Sequence, residues 1–98
     1  MTDKYILRDK TPILEPDLLA CGRWFGENRA VARTVIKDTT ISTVFLGIDH
    51  SFSDDGPPIL FETLVFGGPL NDEQARYATW DEAEKGHATI VERVKAAQ

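Results

Sequence analysis

Residues 30–48 read AVARTVIKDTTISTVFLGI, and this stretch decides the fold. Both of its halves, Ala30–Ile36 and Ile41–Ile48, are rich in β-branched residues, which pack well on a pleated surface. The short polar segment Lys37-Asp38-Thr39 between the halves can turn the chain. The stretch therefore predicts an antiparallel β-hairpin.

A third strand follows after the polar loop HSFSDDGPP, because residues 59–66 read ILFETLVF and Gly67-Gly68-Pro69 ends the run. The apolar side chains alternate between two sides of this strand, with Ile59, Phe61 and Val65 on one and Leu60, Leu64 and Phe66 on the other. If the helices cover only one side, the other side predicts a homodimer interface. The alternative is a central strand that is buried within the monomer.

The end of the chain predicts an amphipathic helix. Thr79 followed three residues later by Glu82 is a capping box, in which each side chain satisfies a backbone amide at the helix start. Apolar positions then recur at helical spacing as far as about Lys95. This face consists of Trp80, Ala83, His87, Ile90, Val91 and Val94.

Upstream of the hairpin, residues 5–7 and 11–14 read as a short first strand or hairpin that Pro16 stops. Asp17 can cap a helix over Leu18–Phe25, where apolar residues fall at helical spacing. The predicted order is β-α-β-β-β-α. Residues 1–98 then form a single α+β domain, with a small antiparallel sheet of three to four strands and two helices.

Composition narrows the functional classes. The 98 residues carry a formal net charge of -5, which should repel nucleic-acid backbones and would suit a basic partner. The single cysteine, Cys21, cannot form an internal disulfide, and the charged start MTDKYILRDK lacks the apolar stretch of a secretory signal. No apolar run approaches the length of a membrane span. We therefore expect a soluble cytoplasmic protein that binds neither membranes nor nucleic acids directly.

The sharpest catalytic hypothesis concerns the loop after the hairpin. Asp49 and His50 end a strand, and Asp54 and Asp55 lie nearby, so an acid–base pair or a metal site can form there. A small metal-dependent hydrolase would add His87 from the last helix. The spacing matches no metal motif, however, and acidic residues are common turn formers. A core histidine is likewise the ordinary explanation of His87.

A second hypothesis is a nucleotide-binding surface. Arg23, Trp24, Arg33 and Phe52 combine positive charge with aromatic rings, the combination that binds nucleotides. The alternative is that Trp24 packs at a helix edge while the arginines are solvated. Gly67-Gly68-Pro69 lacks the lysine and hydroxyl of a phosphate-binding loop. No cofactor or metal is predicted, and the residues favour a binding protein over an enzyme.

Three segments resemble an uncharacterised family of small proteins encoded by bacteriophages and prophages. These segments are STVFLGIDHSF, PPILFETLVFGGPL and RYATWDEAEKGH, and the resemblance covers roughly Leu14 to Val94. The family brings no established catalytic activity, so no functional residues can be transferred to this chain. The resemblance implies a setting, which is the cytoplasm of an infected bacterial host.

In that setting, a small protein without a catalytic motif is expected to bind a host protein. The leading hypothesis is an inhibitor of a host process or an anti-phage defence system, such as CRISPR, that acts by occluding a surface. The alternatives are a sponge for a small nucleotide signal and the hydrolase described above. The candidate binding residues are Arg23, Trp24, Arg33, Asp49, His50, Phe52, Asp54 and Asp55.

Overall fold

The computed structural model of the chain describes residues 4–15, 17, 24, 29–49 and 56–98. Over these residues the fold is α+β, with six strands followed by a helix. The elements are β1 (Tyr5–Arg8), β2 (Thr11–Leu14), β3 (Ala30–Ile36), β4 (Thr39–Phe45), β5 (Phe61–Phe66), β6 (Gln74–Tyr77) and α1 (Trp80–Ala97).

Two antiparallel sheets organise the strands. β1 and β2 form a two-stranded sheet, and the other four strands form a sheet in the sequential order β3-β4-β5-β6. The β3–β4 hairpin turns at Lys37, which has a left-handed backbone, and pairs Ile36 with Thr39. A β-bulge between Ala30 and Ala32 shifts the register at the start of β3. Among the described strands, β3 and β6 form the two edges of this sheet.

The predicted antiparallel sheet and C-terminal helix are confirmed, but the predicted order is not. The first segment is a complete hairpin, and β6 is a strand that the predicted order lacks. The predicted helix over Leu18–Phe25 lies outside the described residues except for Trp24. α1 begins after Thr79, whose Oγ1 accepts a hydrogen bond from the Glu82 amide at 3.1 Å. The Glu82 carboxylate returns to the Thr79 hydroxyl rather than to its amide.

The core lies between α1 and one face of the four-stranded sheet and is divided into two clusters. Cluster 1 comprises Leu7, Phe45, Leu60, Phe61 and Ala83. Cluster 2 comprises Ile41, Val65, Ile90 and Val94. Contrary to the alternation expected for an extended strand, Leu60 is buried with Phe61. It precedes the first residue of β5, so strict alternation does not apply there.

The β1–β2 hairpin packs on the same side of the sheet as α1. Its Leu7 is buried in cluster 1, and the Tyr5 amide donates to the Gly47 carbonyl at 2.7 Å. The Lys10 ammonium lies 3.8 Å from the Glu84 carboxylate and 5.8 Å from the centre of the Trp80 ring. No helix in the described part of the chain is both long and apolar enough to cross a membrane.

Candidate functional site

The structure describes three of the eight candidate binding residues, namely Trp24, Arg33 and Asp49. The other five, Arg23, His50, Phe52, Asp54 and Asp55, lie outside the described residues. Asp49 directs its Oδ1 atom to the amide of Ile59, which donates a hydrogen bond of 2.7 Å. This hydrogen bond thus links the residues that precede and follow the segment 50–58.

Trp24 and Arg33 lie on opposite sides of the four-stranded sheet. The Trp24 ring meets the ring of buried Phe45 edge-on, with centroids 5.4 Å apart, so it belongs to the helix side. Arg33 pairs with Ser42 in the register, and side chains alternate along β4, so Arg33 points away from Phe45. The structure does not bring these two members of the predicted nucleotide surface together.

A chain of hydrogen-bonding side chains crosses the interior between the two core clusters. His87 of α1 lies 7% exposed at its centre. Its Nε2 atom is 2.8 Å from the Thr34 hydroxyl, and its Nδ1 atom is 2.7 Å from the Thr43 hydroxyl. Thr43 contacts Thr63, to which the Tyr77 hydroxyl donates at 3.2 Å. The chain therefore connects α1 with β3, β4, β5 and β6.

The contacts fit a neutral His87, in which one ring nitrogen donates and the other accepts. When Tyr77 donates to Thr63, Thr63 donates to Thr43, and Thr43 donates to Nδ1, the ring proton resides on Nε2 and is donated to Thr34. Burial lowers the pKa of His87 below its ordinary value of 6.5, because desolvation penalises the charged imidazolium. Both ring nitrogens are thus occupied inside the protein, which fits a structural role.

No group of three or more histidine, cysteine or acidic side chains that could hold a metal occurs within the described ranges. His87 would have to lose its hydrogen bond with Thr34 or with Thr43 before a ring nitrogen could bind a metal. Its proposed partner His50 lies outside the described residues. The arrangement around His87 is therefore that of a satisfied core network, in agreement with the structural explanation of this residue.

The side of the four-stranded sheet that faces away from α1 is the candidate site, and it is called the open face below. None of the described elements packs on it. Its side chains, from the register, are Arg33, Val35, Thr40, Ser42, Val44, Glu62, Leu64, Phe66, Gln74 and Arg76. Val35 and Phe66 flank Thr40 in one cross-strand row and are 56% and 50% exposed, respectively.

The open face combines this apolar row with a local excess of positive charge. Arg76 donates to the Glu62 carboxylate across β5 and β6 at 2.9 Å, so these two charges neutralise each other. The guanidinium of Arg33 has no ion-pair or hydrogen-bond partner among the described residues. An unpaired arginine beside exposed aromatic and aliphatic side chains is typical of protein contact surfaces.

Sequence reasoning identified part of this face and missed part of it. Leu64, Phe66 and Arg33 were singled out, whereas Val35 and Val44 were not. The signal was available, because Arg33 and Val35 alternate with helix-side residues in AVARTVI. Comparison of the chain with family models, curated proteins and solved structures finds no match.

Proposed function

We propose that this chain acts by binding a protein and occluding its surface, and that the open face is the contact surface. The observation that carries the proposal is the exposed row of Val35 and Phe66 on a sheet face that no described element covers. Half-buried Val44 and Leu64 extend this row into an apolar area. Such a face exposes apolar surface to water, which is unfavourable until a partner buries it.

The positive charge of the open face indicates which kind of partner surface would fit it. The whole chain carries -5, yet the open face holds two arginines against one glutamate. Arg33 can gain an ion pair without breaking one, because no described residue is paired with it. The fitting partner surface is therefore apolar and carries a carboxylate opposite Arg33.

The resemblance to small phage and prophage proteins supports a proposal for the kind of protein that the chain binds. In that setting the partner is a host protein, and an anti-phage defence protein is the leading candidate, which the chain inhibits by occlusion. The two alternatives receive less support from the described residues. A nucleotide sponge built on Trp24 and Arg33 needs them in one pocket, and a hydrolase that uses His87 needs a free ring nitrogen.

The test is a comparative capture from host lysate, read by mass spectrometry. The baits are the tagged wild type, an open-face variant (Arg33→Glu with Phe66→Ser) and a matched helix variant (Lys85→Glu with Thr89→Ser). The helix variant makes a charge reversal and a polar change on the exposed side of α1. We expect one stoichiometric protein that wild type and the helix variant retain and the open-face variant loses.

The same capture separates the functional classes. Binding through the open face should persist with a metal chelator present and in a His50→Ala variant, because the open-face residues named above do not include His50 and need no metal. Equal capture by the open-face variant would refute the proposal. Loss of the captured protein on chelation would instead favour the metal-dependent alternative.

A further inference from the structure

The outer edge of β3 carries backbone groups that face away from the sheet. The amide of Phe45 donates to the Arg29 carbonyl at 2.7 Å, and the amide of Leu46 donates to the Leu60 carbonyl at 2.6 Å. Backbone groups of an antiparallel strand alternate in direction, so odd-numbered residues of β4 bond towards β3 and even-numbered residues towards β5. The residues of β3 opposite Thr43, Ile41 and Thr39 are Ala32, Thr34 and Ile36.

It follows that Arg33 and Val35 direct their amide and carbonyl groups outward. In the described part of the chain no strand pairs with this edge. The bulge that interrupts β3 lies before Ala32, so residues 32–36 form a regular edge. An exposed regular edge is a template for another strand.

We infer that a second copy of this chain pairs with this edge, β3 against β3 in antiparallel orientation, with Thr34 on the twofold axis. This register is one of three alternatives that would bring the outward groups of Arg33 and Val35 into hydrogen-bonded pairs, and the other two are unfavourable. One places Arg33 opposite Arg33 of the second copy, and another places Arg33 opposite Lys37. Both set like charges face to face, which destabilises a sheet.

The remaining register places Arg33 opposite Val35 of the second copy. On the helix side, it sets small Ala32 against half-buried Ile36, which gains cover. On the axis, it sets Thr34 beside Thr34 of the second copy. This self-complementary pattern is what a twofold interface requires.

The pairing extends the open face across both copies. The two four-stranded sheets become one sheet of eight strands, with α1 of each copy on the same side. Arg33 and Val35 of both copies then lie at the centre of the combined open face. The second copy thus contributes half of the residues around that centre. The inference does not depend on the proposed function, because the edge can pair with or without a further partner.

Sedimentation of the purified chain over a range of concentrations tests the pairing. We expect a dimer of about twice 11.0 kDa for the wild type. Val35→Pro removes an outward amide and keeps the bonds to β4, so it should weaken dimerisation about tenfold or more. Phe66→Ser, on the open face away from the edge, should leave the dimer intact. A monomeric wild type, or a dimer lost in Phe66→Ser and kept in Val35→Pro, would overturn the inference.

Cross-linking tests the register and does not depend on how the proline variant folds. Directly opposed residues outside the hydrogen-bonded pairs have Cα atoms about 4.5 Å apart, within the range of a disulfide. In a Cys21→Ala background, Thr34→Cys should form a covalent dimer on oxidation. Lys37→Cys, which the register places opposite Val31, should not. The reverse result, or no covalent dimer from Thr34→Cys, would rule out this register.

Discussion

Phe61 lies at the centre of cluster 1, with its ring centroid 5.3 Å from that of Phe45 and 6.3 Å from that of Trp80. It is fully buried, so Phe61→Ala should lower the free energy of unfolding by about 3–5 kcal/mol. Phe66→Ala on the same strand is the matched control, because half of that side chain is already exposed. Urea unfolding measures both variants. A loss below about 1 kcal/mol for Phe61→Ala would contradict the assignment of this residue to the core.

His87 makes stability depend on pH in a defined direction. Burial lowers its pKa in the folded state, so the unfolded state binds more protons once the pH falls below the ordinary value of 6.5. Its contribution to stability should be fully present above pH 6.5 and should decline from there to the lowered pKa.

The measurement is urea unfolding of wild type and His87→Gln between pH 8 and pH 5. Glutamine does not titrate, so the difference in unfolding free energy between the two proteins should shrink as the pH falls. The comparison also cancels the contribution of His50, which both proteins contain. A difference that is constant over this range would show that His87 takes up protons equally in both states.

At the scale of elements, the contact between α1 and β6 depends on a glycine. A Cβ atom added at Gly86 would collide with the ring of Tyr77. Gly86→Ala should therefore destabilise the protein by about 1–3 kcal/mol, although alanine is the better helix former. Thermal unfolding of Gly86→Ala, with and without Tyr77→Leu, checks the cause. Stabilisation by Gly86→Ala alone would show that the helix does not approach β6 this closely.

Several elements were predictable from local pattern alone. Ala30–Ile36 is a strand with the predicted bounds, and Thr79 caps the last helix as its spacing with Glu82 indicated. The strand can be recognised in the sequence by its β-branched residues and the helix by its capping residues. β6 cannot be recognised in this way, because Gln74–Tyr77 is a polar edge strand. Its pairing with β5 and the Arg76–Glu62 ion pair are tertiary features.

The site was less predictable than the fold for the same reason. Arg33 stood out as a charge on a strand, but the neighbours that make it useful come from other strands. The strand register places Ser42 and Leu64 in the same cross-strand row as Arg33. The packing of α1 on the opposite side of the sheet leaves this side uncovered by the described elements. The network around His87 likewise gathers threonines from three strands, and no spacing in the sequence links them.

At the scale of the whole molecule, the two sides of the four-stranded sheet differ in kind. One side carries α1, the β1–β2 hairpin and both core clusters. The other side carries the exposed apolar row and Arg33, which forms no ion pair with any described residue. The first turn of α1, on the covered side, holds the acidic side chains of Asp81 and Glu82. This asymmetry is the basis for proposing a binding protein that presents its open face to a partner.

Methyl NMR of the chain, with and without the protein retained in the capture experiment, tests this central claim most directly. Val35, Val44 and Leu64 report on the open face, whereas Ile90 and Val94 report on the buried side of α1. We predict that the partner shifts or broadens the methyl signals of Val35, Val44 and Leu64 and leaves those of Ile90 and Val94 in place. Unchanged open-face methyl signals in a saturated complex would contradict the account.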